Sequence, residues 1–272
     1  MTDQPHTSVL TFNLNNPSRE RAERQLVWLA ARPEHVLVLT ETADSAGCQL
    51  LAHRFEAAGY AVVFPRPERG ERGVMIVSRL ATEEVGPKVG YLPHRAVSVT
   101  VQTADGPLGI TGLYVPSRDA TPAKTARKRD FLAECRAALP AGSTRPARLV
   151  IGDFNLLEPA HRPRYPFFRP FEYSFYTWLG DAGYVDAFRR IHPDAAEYSW
   201  VGKTGDGYRY DHAHVTASLG GSVTACTYLH DVRTGPERLT DHSALSLQLA
   251  LPPAPALLVS DPTTAPDQSA LF

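Results

Sequence analysis

The chain has 272 residues, 43% hydrophobic and 21% charged, with a net charge of −1. That length and balance fit one large α/β domain with an ordinary core. They exclude a protein that grips nucleic acid by bulk charge, so a polyanion would have to meet a local patch or a metal. Cys48, Cys135 and Cys226 are far apart and show no C-x-x-C spacing; they read as small buried hydrophobes in a reducing compartment. No run approaches about 18 apolar residues, the length of a membrane span. The opening MTDQPHTSVL lacks a basic start followed by an apolar run, so no secretory leader is expected. A soluble cytoplasmic protein follows from these features.

Strands and helices alternate along the chain. SVLTFNL (8–14) reads as a first strand, and residues 18–32 as an amphipathic helix opened by Ser18. HVLVLT (35–40) is an apolar run, which suits a strand covered on both faces. A helix over 45–58 and a strand at YAVVF (60–64) come next. GVMIVSR (73–79), RAVSVTV (95–101) and LGITGLYV (108–115) look like successive strands, with ADGP (104–107) turning between the last two. Residues 121–139 form a second clear helix, and LVIG (149–152) opens another strand. Residues 156–205 are loop-rich, with a helix near 172–181. DHAHVTAS (211–218), SVTACTYL (222–229) and SALSLQL (243–249) close the strands. Residues 1–250 are expected to form one catalytic domain. Residues 251–272, rich in Pro, Ala, Ser and Thr without a period, read as a disordered tail.

Polar residues recur at strand ends, where an open mixed sheet gathers ligand sites. Asn13 and Asn15 end the first strand, Glu41 follows VLVLT, and Tyr114 ends GLYVPS. Asp153 and Asn155 end LVIG, Asp211 starts a late strand, and Asp241 and His242 precede the last one. Each alone is an ordinary turn or surface residue. Together, Glu41, Asp153, Asp211 and Asp241 are hard oxygen donors suited to Mg²⁺ or Mn²⁺. With an imidazole beside them, the set suits phosphoester chemistry. Asp153 and Asn155 stand two apart, so an extended chain would point both the same way and Phe154 into the core.

The blocks F-N-x-N (12–15), T-E-T (40–42), Y-V-P-S (114–117), G-D-F-N (152–155), S-W…Y-R-Y-D-H (199–212) and T-D-H-S (240–243) come in an order that resembles the endonuclease/exonuclease/phosphatase superfamily. The Y-V-P block is closest to the exonuclease III and abasic-site endonuclease branch. The resemblance implies an α/β four-layer sandwich: two mixed β-sheets packed face to face, flanked by helices. It implies Glu41 as the main metal ligand, with Asn15 and Asp241 beside metal positions and Asn13 beside metal and phosphate. It makes Asp153 the group that orients or deprotonates water, Asn155 a hydrogen-bond donor to phosphate or water, and Tyr114 a phosphate contact. Asp211 would pair with His242, which would touch the scissile phosphate.

Arg118, Lys124, Arg127, Lys128, Arg129, Lys203 and Arg209 are candidate DNA contacts, and Trp200 a ring that stacks on or walls off a sugar or base. The chain departs from the family in a short stretch between Trp200 and Arg209, a short span from Asp153 to Asp211, and His212 at the end of Y-R-Y-D-H. The function implied is a Mg²⁺-dependent DNA nuclease of DNA repair, a 3′-to-5′ exonuclease or abasic-site endonuclease. The alternatives are a phosphoesterase acting on a lipid or small molecule and, last, a binding module that kept the fold. The terminal Q-S-A-L-F, with Gln268, Leu271 and Phe272, resembles the short peptide that docks on the bacterial sliding clamp.

Overall fold

The computed structural model describes residues 6–143 and 145–266. The chain first builds strands β1 (Thr7–Asn13), β2 (Val36–Thr42), β3 (Ala61–Val63), β4 (Gly73–Ser78) and β5 (Thr82–Glu83), with helices α1 (Arg19–Ala30) and α2 (Ala46–Ala57) after β1 and β2. It continues through β6 (Ala96–Thr103), β7 (Gly106–Tyr114), α3 (Pro122–Ala138) and β8 (Ala147–Asp153). The last part holds α4 (Pro170–Asp181), β9 (Tyr184–Asp186), α5 (Ala187–Ile191) and a small hairpin of β10 (Trp200–Val201) and β11 (Gly207–Tyr208). It ends with β12 (Asp211–Thr216), β13 (Val223–Leu229), α6 (Asp231–Thr234) and β14 (Ala244–Leu249).

Two six-stranded mixed sheets result, in the orders β13-β14-β1-β2-β4-β3 and β5-β6-β7-β8-β12-β9. Each has one parallel pair near its centre, β1 with β2 and β7 with β8. Alternation along each strand decides the packing. Val9, Val36, Val38, Val74 and Ile76 of one sheet meet Val99, Ile110, Leu149, Ile151 and Ala213 of the other in a shared inner core. The intervening Leu10, Phe12, Leu37 and Leu39 turn outward onto Leu26 and Leu29 of α1 and Leu51 and Phe55 of α2. On the opposite flank, Leu113 and Val150 meet Phe131, Leu132 and Cys135 of α3 and Phe175 and Leu179 of α4. This is the expected helix–sheet–sheet–helix sandwich. Gly112 lets the sheets close: a Cβ there would come within 2.7 Å of Val38 and 2.8 Å of Val74.

The helices start where their capping chemistry says they should. Ser18 Oγ accepts the Arg21 amide at the start of α1, and Pro122 occupies the first turn of α3, where its missing N–H costs nothing. Strands β5, β9, β10 and β11 have two or three residues each, too short to carry a period in sequence. All three cysteines are free and buried. Among the described residues no helix is long and apolar enough to cross a membrane.

The segment after Ala250 is not disordered over its described length. Residues 251–266 form an irregular strap along the edges of both sheets. Ala254 N donates to Gln102 O at 3.1 Å, Leu257 N to Arg79 O at 2.7 Å and Ser260 N to Ala58 O at 2.8 Å. Leu251 and Ala265 are buried, and the Arg54 guanidinium donates to the Thr263 and Ala265 carbonyls. The strap needs no period because its backbone groups find partners on the body, and its prolines lower the entropy lost on ordering. Gln268, Leu271 and Phe272 lie outside the described residues. A chain truncated after Ala250 is expected to melt at least about 3 °C below the full chain; an unchanged midpoint in thermal unfolding would show that the strap contributes no stability.

Candidate active site

The topology brings the polar strand ends to one rim. The parallel pairs β1–β2 and β7–β8 end there, and antiparallel β12 and β14 begin there. In register, Tyr114, Asp153 and Asp211 stand in one row across three neighbouring strands. Asn13, Glu41 and His242 come from the other sheet or its connections. Gly152 starts the exit from β8: its φ is +146°, and a Cβ there would sit 2.0 Å from the Leu113 carbonyl oxygen. Only glycine fits before Asp153.

The F-N-L-N and D-F-N segments form the same turn. Asn13 Oδ1 accepts the Asn15 amide at 2.8 Å, and Asp153 Oδ1 accepts the Asn155 amide at 2.8 Å. Asn15 and Asn155 adopt left-handed backbone, with φ of 50° and 47°, which asparagine tolerates better than most residues. Asn155 therefore does not continue an extended strand. It reaches Asp153 because the turn folds it back, its Nδ2 donating to Asp153 Oδ2 at 3.2 Å. Phe154 is fully buried. Across the sandwich, Asn13 Nδ2 donates to Asp153 Oδ2 at 3.0 Å. Glu41 is also left-handed, at φ 53°, an uncommon conformation for glutamate and the kind of strain held at functional sites.

His242 Nδ1 lies 2.8 Å from Asp211 Oδ2, and both residues are buried. Burial alone would lower the imidazole pKa, but the Asp211 charge and hydrogen bond, helped by Asp153 and Asp241, push it up to about 10. The ring is thus a cation at neutral pH. Asp211 is held in turn: its amide donates to Ser199 Oγ at 3.1 Å, and the Tyr228 hydroxyl donates to its carbonyl. Burial raises the Asp153 carboxyl well above the usual range; Asp211 and Glu41 add to this and His242 opposes it. A carboxylate with raised proton affinity is suited to take a proton from water. Burial, then Glu41 and Asp153, raise the Tyr114 phenol and keep it a donor, while the Arg95 guanidinium lies 4.7 Å from its ring centroid.

Glu41, Asp153 and His242 bring donor atoms within 4.8 Å of one another. A protonated His242 has no lone pair to offer, so the oxygens of Glu41 and Asp153 are the groups fit to hold a hard divalent cation. Asp241, expected as a metal ligand with Glu41 and Asn15, stands outside that cluster of donor atoms: Asn15 Nδ2 donates to one of its oxygens at 2.9 Å and the Trp200 indole to the other at 3.0 Å.

A cavity of about 250 Å³ over this rim is lined by Glu41, Asn155, Asp241 and His242 together with Arg118, Lys128 and Trp200. Those three candidate substrate residues are therefore brought to the site. Lys128 is buried, however, donating to the Asn155 carbonyl and pairing with Glu172 at 2.8 Å. It supports Asn155 from behind and offers no free charge to DNA. Arg209 is a correction of the same kind. It is fully buried and bonded to Glu158 and Asp186, because these two carboxylates reach it from the loop after β8 and from β9. Lys124 is exposed and pairs with Asp119 at 3.0 Å, outside the cavity. Arg127 pairs with Glu71, and Arg129 lies over Phe171.

Lys203 lines a second cleft, of about 650 Å³, with Arg21, Arg233 and Arg238 beside Asn15 and Asp241. Residue types alone did not single out Phe167, Phe168 and Tyr210, which wall the catalytic cavity. The signal was present in H-R-P-R-Y-P-F-F-R (161–169), where aromatics and arginines interleave in a loop-rich stretch.

The profile of the Endonuclease/Exonuclease/phosphatase family matches residues 10–242. Among curated proteins, none matches the sequence. The solved structure of the 3′ phosphatase NExo from Neisseria bound to a product DNA hairpin is similar at 22% identity and a TM-score of 0.77, with 89% of this chain and 99% of that chain covered. The 3′-5′ exonuclease NExo from Neisseria meningitidis is similar at 24% identity and a TM-score of 0.75, with the same coverage. An AP endonuclease from Archaeoglobus fulgidus is similar at 22% identity and a TM-score of 0.72, again covering 89% and 99%. At these identities the likeness shows a shared fold.

In metal-free protein the His242 ring is expected to stay doubly protonated at pH 8 and titrate near pH 10 in ¹⁵N NMR. Asp211→Asn removes the counter-charge and leaves the burial, so the ring should then titrate at or below about 6.5. A titration unmoved by that substitution would refute the ion pair.

Proposed function

This chain belongs to the endonuclease/exonuclease/phosphatase family, and on that premise we propose that it is a divalent-metal-dependent DNA nuclease of DNA repair. The reaction proposed is 3′-to-5′ exonucleolytic cleavage, with abasic-site incision as a further activity of the same site. The buried His242–Asp211 pair, set beside Asp153 and Glu41, carries the assignment. A fixed imidazolium and a carboxylate of raised proton affinity on one rim are the two charges that hydrolysis of a phosphodiester needs. Support for a polyanionic polymer comes from the cleft lined by Arg21, Lys203, Arg233 and Arg238, despite a net charge of −1. The similar Neisseria enzyme held a product DNA hairpin.

In the proposed mechanism Asp153 accepts a proton from the attacking water, with Asn13 and Asn155 fixing the carboxylate by their hydrogen bonds. His242 and the Tyr114 hydroxyl donate to the phosphoryl oxygens as negative charge builds on them, and Asp211 holds the His242 imidazolium charged and in place. The P–O bond opposite the incoming oxygen breaks, and the leaving alcohol oxygen takes its proton from solvent water. Glu41, with Asp153, would hold Mg²⁺ or Mn²⁺, which when bound neutralises phosphoryl charge as a Lewis acid. Asn15 and Asp241 would border that position. Trp200 would line the path of the substrate, while Arg118, its side chain buried and paired with Glu172, would support the cavity wall.

Asp153→Asn and His242→Ala are each expected to lower kcat on labelled duplex or abasic DNA by roughly 10²-fold or more. Chelation should abolish activity and added Mg²⁺ restore it. Parallel assays with a phosphoinositide and a chromogenic diester separate a nuclease from a lipid or small-molecule phosphoesterase. Wild-type rates in either variant would overturn the roles given to Asp153 and His242.

Buried, reduced cysteines suit a cytoplasmic enzyme. We further propose that the terminal Q-S-A-L-F tethers the enzyme to the bacterial sliding clamp; the strap carries the chain across the body to α2 before this peptide begins. Deleting residues 268–272 should abolish clamp binding in a surface-plasmon measurement and leave hydrolysis of a short oligonucleotide unchanged. Equal clamp affinity with and without the peptide would disprove the tether.

A further inference from the structure

We propose that Phe167 is a stacking platform for the nucleobase attached to the scissile phosphate, so that the enzyme reads the presence of a base next to the bond it cuts. Of the large hydrophobic residues left exposed among the described residues, Phe167 is the one that lines the catalytic cavity. Phe167 is 45% exposed, although Phe168 beside it is buried.

The ring is held rigidly. The Arg118 guanidinium lies 4.2 Å from its centroid and donates to the Phe167 carbonyl. Phe168 packs against it edge-on at 5.6 Å. Arg118 pairs with Glu172 at 2.6 Å, Glu172 pairs with Lys128 at 2.8 Å, and Lys128 donates to the Asn155 carbonyl. The side chains of Arg118, Glu172 and Lys128 are at most 2% exposed. An unbroken series of buried ion pairs thus runs from the catalytic turn to an apolar ring facing water. Arg118, itself paired with Glu172, and Phe168 are the ring and cation contacts of Phe167 among the described residues, and the rest of its surface is open to solvent. A nucleobase bonded through its sugar to a phosphate at Asn155 and His242 is the flat, apolar-faced group that the position offers to it, and every base has a face to stack.

The proposal rests on the nucleic-acid reading of the site. Its test uses oligonucleotides that carry, at each nucleotide flanking the cleaved bond in turn, a normal base or a tetrahydrofuran residue with no base. Wild-type enzyme is expected to favour the base-bearing substrate about tenfold in kcat/KM at one of the two positions. Phe167→Trp should keep that preference. Phe167→Ala and Phe167→Leu should abolish it, Leu still covering Arg118 as an apolar lid. Each protein's preference is taken as the ratio of its own two oligonucleotide rates, so a general loss of activity in a variant does not enter the comparison. Equal preference in wild type and Phe167→Leu, or none in wild type, would overturn the platform while leaving the nuclease assignment intact. An enzyme that hydrolyses a chromogenic diester and no oligonucleotide would overturn both.

Discussion

Buried polar bridges, two of them between side chains and one from the Tyr228 hydroxyl to the Asp211 carbonyl, fasten the sheets to each other at the rim. Asn13 to Asp153 crosses from β1 to β8, and His242 to Asp211 crosses from the approach to β14 to the start of β12. Elsewhere the inner faces meet through Val, Ile and Leu side chains, whose contacts carry no directional preference. The hydrogen bonds at the rim have geometry and charge, so they set the relative placement of the two sheets where placement matters. Losing one partner of either side-chain bridge would strand a buried polar group, which costs far more than an exposed pair is worth. Stability and chemistry therefore depend on the same few atoms.

The second buried network works behind that rim. Arg209 lies two residues before Asp211 and joins Glu158 and Asp186, while Arg189 takes the remaining reach of Glu158. Two guanidinium and two carboxylate groups balance, so the interior holds the charges without a net excess. The network ties the loop following Asn155 to the strand that carries Asp211. Local charge is thus sorted by depth. Compensated pairs lie inside, and Arg21, Lys203, Arg233 and Arg238 share one cleft beside Asn15 and Asp241, a local grouping that a net charge of −1 conceals.

The strands were legible as apolar runs and the sandwich was implied by the ordered motif blocks, while the split that turns Val9 and Val38 inward and Leu10 and Leu39 outward was not legible, since both sets are apolar. That Asn13, Glu41, Tyr114, Asp153, Asp211 and His242 share one rim was legible because polar residues recur at strand ends, where mixed sheets gather ligand sites. Contacts between distant segments were not. Arg209 reads like any surface arginine, since Glu158 and Asp186 stand 51 and 23 residues away. Lys128 was rightly associated with the site, but its partner Glu172 came from a separate helix and turned its charge inward. The strap has no period to detect, because its order comes from carbonyls and amides of Gln102, Arg79 and Ala58 that no local pattern announces. Asn155 was placed beside Asp153 for the wrong geometric reason: a left-handed turn, and no extended chain, brings them together.

The matching turns at Asn13 and Asp153 give the rim an approximate internal duplication, one copy in each sheet, with matching amide-to-side-chain bonds of 2.8 Å. The copies differ in one atom type, a carboxamide nitrogen against a carboxylate oxygen, and those two atoms are 3.0 Å apart. Were both residues acids, the facing oxygens would have to share a proton and the pair would titrate as one dyad. Amidation of a single copy breaks the symmetry, keeping one full negative charge on the β8 side and a neutral donor opposite it. The backbone thus sets out two equivalent seats, and side-chain chemistry alone decides which of them carries the negative charge.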